Sequence, residues 1–198
     1  MNEEGSINRQ QFLRQAGVCF CGCAAILSST TLLSQEIKQT QDLETPVDKK
    51  MQFAHKWVKR FFDIFDKELD EPTRQRILEE NGKQCYMQGI NQKYPPVSME
   101  KFVEILQEGV GKENCWMERN TVYFNYVRDP RDLRKEDGYC LCPLVEDGPS
   151  DLSGTYCHCS VGYVREMFSS STDQKVEVEL LESVKRGGKR CRFKITVV

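Results

Sequence analysis

Histidine is almost missing from this chain: only His55 and His158 occur in 198 residues. His55 and His158 stand 103 residues apart, so no H-E-x-x-H zincin motif is present. No Ser-His-Asp arrangement, Gly-rich phosphate loop or dinucleotide fingerprint is found either. Surplus charge is missing too. Lys and Arg number 28 against 30 Asp and Glu, a net charge of −2, which argues against a nucleic-acid partner because phosphate neutralisation needs a basic excess. The basic group Lys185, Arg186, Lys189, Arg190, Arg192 and Lys194 reads as a solvated hairpin face rather than a polyanion site. No repeat period appears, so solenoid and propeller architectures drop out. With 39% hydrophobic and 29% charged residues, what remains is a soluble globular chain long enough for one domain and an appendage.

Cysteine is what the chain has in excess: ten residues, too many for casual core filling in a chain longer than the usual small disulfide scaffold. Three of them (Cys19, Cys21 and Cys23) lie in the uncharged run 16–33, which follows a polar start carrying Arg9 and Arg14. This is the pattern of an export signal, at the lower length limit for a membrane span. Asn8-Arg9-Gln10-Gln11-Phe12-Leu13-Arg14 resembles the twin-arginine export motif at Arg9, Phe12, Leu13 and Arg14, with Gln10 standing in the second-arginine place. Residues 1–33 are therefore expected to be an export signal or membrane tether, giving an exported (periplasmic or extracytoplasmic) or tethered protein. Without a working leader the protein would be cytoplasmic. Residues 34–50 read as a polar linker, and residues 51–198 as the domain.

Within that domain the expected class is α+β: N-terminal helices, then antiparallel β-hairpins with an intervening helix. Ala54, Trp57, Val58, Phe61, Phe62, Phe65 and Leu69 recur at helical spacing and are expected to form a core stripe. Asp70-Glu71-Pro72 predicts a helix start, and Asn81-Gly82 a stop. Ser98 is expected to cap a third helix that ends at Gly109 and Gly111. From Cys115 the period becomes two, predicting paired strands around Asn120, with a charged loop over 129–138. A short helix at Tyr163–Phe168 and a hairpin from Val176 through Gly187-Gly188 to Val197 complete the reading.

Tyr139–Phe193 holds five cysteines: Cys140-Leu141-Cys142, Cys157-His158-Cys159 and Cys191. If the Cys-x-Cys segments are extended, each pair presents both thiols on one face, where they can chelate a soft metal or form a reducible disulfide. His158 would then face the other way. Glu179 or Glu182 could approach Cys191 across the hairpin, and a buried glutamate beside a thiolate calls for a cation between them. Cys85 and Cys140, with His158, are candidate pocket or redox residues.

The run Cys157-x-Cys159-x-x-Gly162, then Val-Glu-Val-Glu179-Leu-Leu-Glu182, then Gly187-Gly188-x-x-Cys191-x-Phe193 resembles the C-terminal half of 4-vinyl reductase-type domains. A second resemblance is to the bacterial family named for L-2-amino-thiazoline-4-carboxylic acid hydrolase. The first implies an α+β fold shared with vesicle-tethering subunits, a small-molecule ligand, and a structural zinc held by cysteines and a glutamate. Its ligand positions match Cys157 or Cys159, Glu179 and Cys191; where that family has a cysteine after its glutamate, this chain has Glu182. With Cys142 added, the candidate metal set is Cys142, Cys157, Cys159, Glu179 and Cys191, for zinc ahead of iron.

Three functions follow as expectations. The leading one is a small-molecule-binding or sensory domain with a cysteine-based zinc site. A thiol-dependent hydrolase of a small cyclic amide or thiazoline-like substrate, with Cys157 or Cys159 as nucleophile, is the alternative. A thiol-redox protein comes third. Beside them stands plain packing, in which buried or disulfide-bonded cysteines do no chemistry.

Overall fold

The structure, a computed structural model, describes residues 46–89, 95–127, 140–142, 145 and 151–198. The leader at 1–33, most of the polar linker and the charged loop at 129–138 lie outside the described residues.

Among the described residues three helices come first. α1 (Pro46–Glu68) begins inside the stretch read as linker. α2 (Glu71–Gly89) starts where the Asp70 carboxylate accepts the Thr73 N–H at 2.8 Å, an N-cap contact that satisfies one otherwise orphaned amide. α3 (Met99–Val110) is capped by Ser98, whose hydroxyl accepts from Lys101 N–H, and closes on Gly111 at φ 88°.

The sheet and the last helix follow. β1 (Cys115–Glu118) and β2 (Thr121–Asn125) form the expected hairpin about Asn120. One 3-10 turn (Gly154–Cys157) leads into α4 (His158–Thr172). β3 (Val176–Glu182), a 3-10 turn (Val184–Arg186) closed by Gly187 at φ 85°, and β4 (Arg192–Val197) complete the chain. The four strands form one antiparallel sheet in the order β1-β2-β4-β3. The fold is α+β, a single domain of helices followed by hairpins with a helix between them.

Alternation sorts the strand residues. Val122, Phe124, Phe193, Ile195 and Val176 turn inward against Phe102, Val103, Leu106, Val164, Met167 and Phe168 of α3 and α4. Phe168, fully buried, meets Phe102 and Phe124 edge-on at 5.2 and 6.0 Å. Burying an aromatic of this size stabilises the fold by roughly 1.5–3 kcal/mol. A smaller apolar cluster of Phe62, Phe65, Leu78, Val145 and Leu152 lies under α1.

Three expectations change here. Gly82 does not end α2. A Cβ built on it would lie 1.8 Å from the Cys159 carbonyl oxygen, and one on Gly162 would lie 1.8 Å from the Glu79 carbonyl oxygen. The glycines are there because α2 and α4 cross in backbone contact. Next, α4 starts five residues earlier than predicted, at His158, so Cys157 and Cys159 sit on helical rather than extended backbone. Finally, the α1 stripe divides: Phe62 and Phe65 are buried, whereas Trp57 and Phe61 are exposed.

Candidate functional site

The α2/α4 crossing and the β3–β4 turn bring thiols from three stretches of chain to one end of the sheet. Cys140 and Cys142 lie half-buried against the smaller apolar cluster, beside Tyr156. Cys157 ends the 3-10 turn and is buried. Cys159 occupies the first turn of α4, where Asn81 of α2 donates an N–H to its sulfur at 3.5 Å. Cys191 leads into β4 on the inward side shared by Phe193 and packs against the main core. These five are near enough for charge on one to disfavour charge on another: Cys142 acts so on Cys140, Cys157, Cys159 and Cys191.

At Cys140, Cys157, Cys159 and Cys191 burial is the largest influence and disfavours the thiolate. It pushes Cys159 and Cys191 from an ordinary 9.0 up to about 11. It also raises Cys140 and Cys157; at Cys157 the Ser183 hydroxyl and the Arg186 charge pull the other way. Tyr156 shares a hydrogen bond with Cys142, Oη to Sγ at 3.0 Å, and is itself pushed up by burial and by Cys142. Tyr126, behind Cys191, is likewise raised by burial. Cys140, Cys157, Cys159 and Cys191 are therefore held as thiols at neutral pH.

His158 does not serve these thiols. Its Nε2 accepts from Arg186 Nη2 at 2.8 Å, because a guanidinium only donates. That leaves the ring proton on Nδ1, 3.9 Å from Glu79 Oε1 and beyond hydrogen-bond reach. Burial, followed by the Arg186 charge, lowers its pKa. Glu79 is held instead by Arg165 at 2.7 Å, and Arg186 also donates to the Gly154 carbonyl at 3.2 Å. The network ties the 3-10 turn to the hairpin and so positions Cys157. It supplies no base to make a thiolate.

Glu179 is not brought to the cysteines. Strand alternation sends its neighbour Leu180 inward and Glu179 outward, where it is exposed and pairs with Lys194 at 3.5 Å. Glu182 follows an irregularity in the β3–β4 register and accepts the Lys189 backbone N–H at 2.7 Å. Cys85 is exposed on α2, on the Cys159 side. Among the described residues no group of three or more His, Cys, Asp or Glu side chains is arranged to hold a metal ion. Of the expected Cys/Glu zinc set, Glu179 stands on the opposite face of β3 from the thiols. Tyr156, Asn81, Ser183 and Arg186 were not read as site residues from sequence. Tyr156 had a signal, standing directly before Cys157, whereas the others reach the site only through the fold.

Residues 23–198 match the model of a family described as "Family of unknown function (DUF6144)". The chain belongs to that family. No curated protein matches it. The chain is distantly similar to two solved structures. A trafficking protein particle complex subunit 3 from Naegleria fowleri, covalently bound to palmitic acid, is 12% identical with a TM-score of 0.45, over 76% of this chain and 95% of that one. A vinyl-4-reductase family protein from Methanocaldococcus jannaschii is 14% identical with a TM-score of 0.30, over 80% of this chain and 85% of that one. Likeness at this level carries no functional argument.

Proposed function

We propose that this protein is a small-molecule-binding or sensory domain whose receptor is the thiol cluster, reading a soft, thiophilic ligand. One observation carries this reading: five cysteines from three separate stretches of chain lie at one end of the sheet, four of them desolvated by burial, with Cys142 within electrostatic reach of the other four. Neutral thiols in such a place are poor nucleophiles, yet a soft cation displaces their protons and makes them ligands. Zinc is the cation the sequence points to, ahead of iron. Cys142, Cys157, Cys159 and Cys191 are the thiols that would close on it, each losing a proton, with Glu179 left outside. An export or tether role for residues 1–33 belongs to the same proposal: export would set the domain outside the cytoplasm, and a tether would hold it at the membrane.

Hydrolysis by Cys157 or Cys159 has less support, because the thiols are held protonated and His158 is engaged by Arg186. The test is metal content and protected-thiol count on the full chain purified under reducing conditions. Cys19, Cys21 and Cys23 are replaced by Ser so that they bind nothing. Near-stoichiometric zinc with three or four protected thiols is expected. No metal with all seven described thiols reacting freely would overturn the reading in favour of redox or catalytic chemistry. No metal with inert thiols would reduce the cluster to packing.

A further inference from the structure

α1 presents two faces. Val58, Phe62, Phe65 and Leu69 pack against the domain. On another side Phe53, Trp57, Phe61 and Ile64 are 68%, 49%, 43% and 54% exposed. At 3.6 residues per turn these four fall within an arc of roughly 80°. Trp57 and Phe61 stack at 5.5 Å, so the two inner members of this apolar ridge present one joined aromatic surface. Lys49, Lys56, Arg60 and Lys67, all exposed, line its outer border within roughly 40° of one another. A soluble domain does not ordinarily leave such a ridge bare.

We infer that this ridge seats α1 in the surface of an anionic lipid membrane, in the plane of the interface. Two features select lipid. Aromatic and aliphatic side chains on one face, bordered by a basic row, match the acyl boundary and the phosphate headgroups respectively. The ridge also follows closely in sequence on the uncharged run 16–33. Only residues 34–45 intervene, a span of at most about 43 Å when fully extended, so a membrane that holds the run lies within reach of α1. Among the described residues no helix is long and apolar enough to cross a membrane, and an interfacial helix does not need to be. The inference stands apart from the thiol reading.

The test uses the full chain with Trp116→Phe, leaving Trp57 as the sole indole, and vesicles of phosphatidylglycerol and phosphatidylcholine. Trp57 emission is expected to shift to the blue and to be quenched by lipids brominated near the headgroup. Lys56→Glu with Arg60→Glu should weaken partitioning at least about tenfold, from the loss of headgroup attraction at two sites. Phe53→Glu, at the most exposed position, should also weaken it; circular dichroism checks that each variant folds. Vesicle-bound protein with unshifted Trp57 would overturn the inference, placing attachment in residues 1–45 alone. A Trp57 shift that follows protein concentration and ignores vesicles would overturn it in favour of a second copy on the ridge.

Discussion

At Cys159 and Cys191 burial and hydrogen bonding act in opposite senses, and burial wins. Asn81 N–H···S and the contact with the Val184 backbone stabilise thiolates, yet both groups stand at about 11. Reactivity therefore splits by place rather than by residue type. Exposed Cys85 should alkylate rapidly near neutral pH. Cys157, Cys159 and Cys191 should label far more slowly, with rates for the latter two climbing until pH approaches 11. Mass-spectrometric footprinting across pH reads this directly. Fast labelling of Cys157 or Cys159 at pH 7 would show an activating neighbour and revive the nucleophile reading.

Among the elements, the α2/α4 crossing does most to place the site, because it sets Cys159 against Asn81 and Glu79 beside His158. It rests on two glycines whose Cβ positions are taken by backbone carbonyls at 1.8 Å. Backbone cannot yield as a side-chain tip can, so Gly82→Ala or Gly162→Ala should destabilise the domain by about 3 kcal/mol or more. Gly89→Ala, with nothing within 4 Å, should be neutral or stabilise by up to about 1 kcal/mol. Chemical denaturation of the three variants checks the contrast.

This crossing also marks where legibility stopped. Periodicity and caps were enough for α3, the β1–β2 hairpin and the β3–β4 hairpin. Gly82 read as a stop because a local pattern cannot distinguish a C-terminal glycine from a contact glycine. The same blindness made Cys157-x-Cys159 look extended, since a two-residue spacing carries no period of its own. For the site, the five cysteines were visible as a group. Which way Glu179 faced depended on the parity of β3 relative to the core, which Leu180 settles. The α1 stripe was read as core throughout because its apolar positions are too many for one face, and sequence alone does not say which side is covered.

For the whole molecule, the thiol cluster is the seam between two apolar clusters, with Cys140 and Cys142 on one side and Cys191 on the other. Its protonation is thus tied to folding. The folded pKa values of Cys159 and Cys191 (about 11) and of Cys115 (about 12) exceed the ordinary 9.0. The unfolded chain loses these protons first. The resulting stabilisation is full below about pH 9 and disappears as pH rises through 11 to 12. Thermal melts of the reduced protein should show falling Tm above pH 9, with a shallower fall for Cys115→Ala once its own lower starting stability is subtracted. A pH-independent Tm over that range would contradict the burial assigned to these thiols.

The central claim is that the clustered thiols act together on a soft ligand. It is tested most directly by titrating cadmium(II) into the reduced full-length chain with Cys19, Cys21 and Cys23 replaced by Ser, following thiolate-to-metal charge-transfer absorption. Saturation at one cadmium per chain is expected, with an intensity corresponding to three or four thiolates. That absorption should be lost in the Cys157→Ser, Cys191→Ser double variant and retained in Glu179→Gln. No absorption, or absorption unchanged by the double variant, would contradict it.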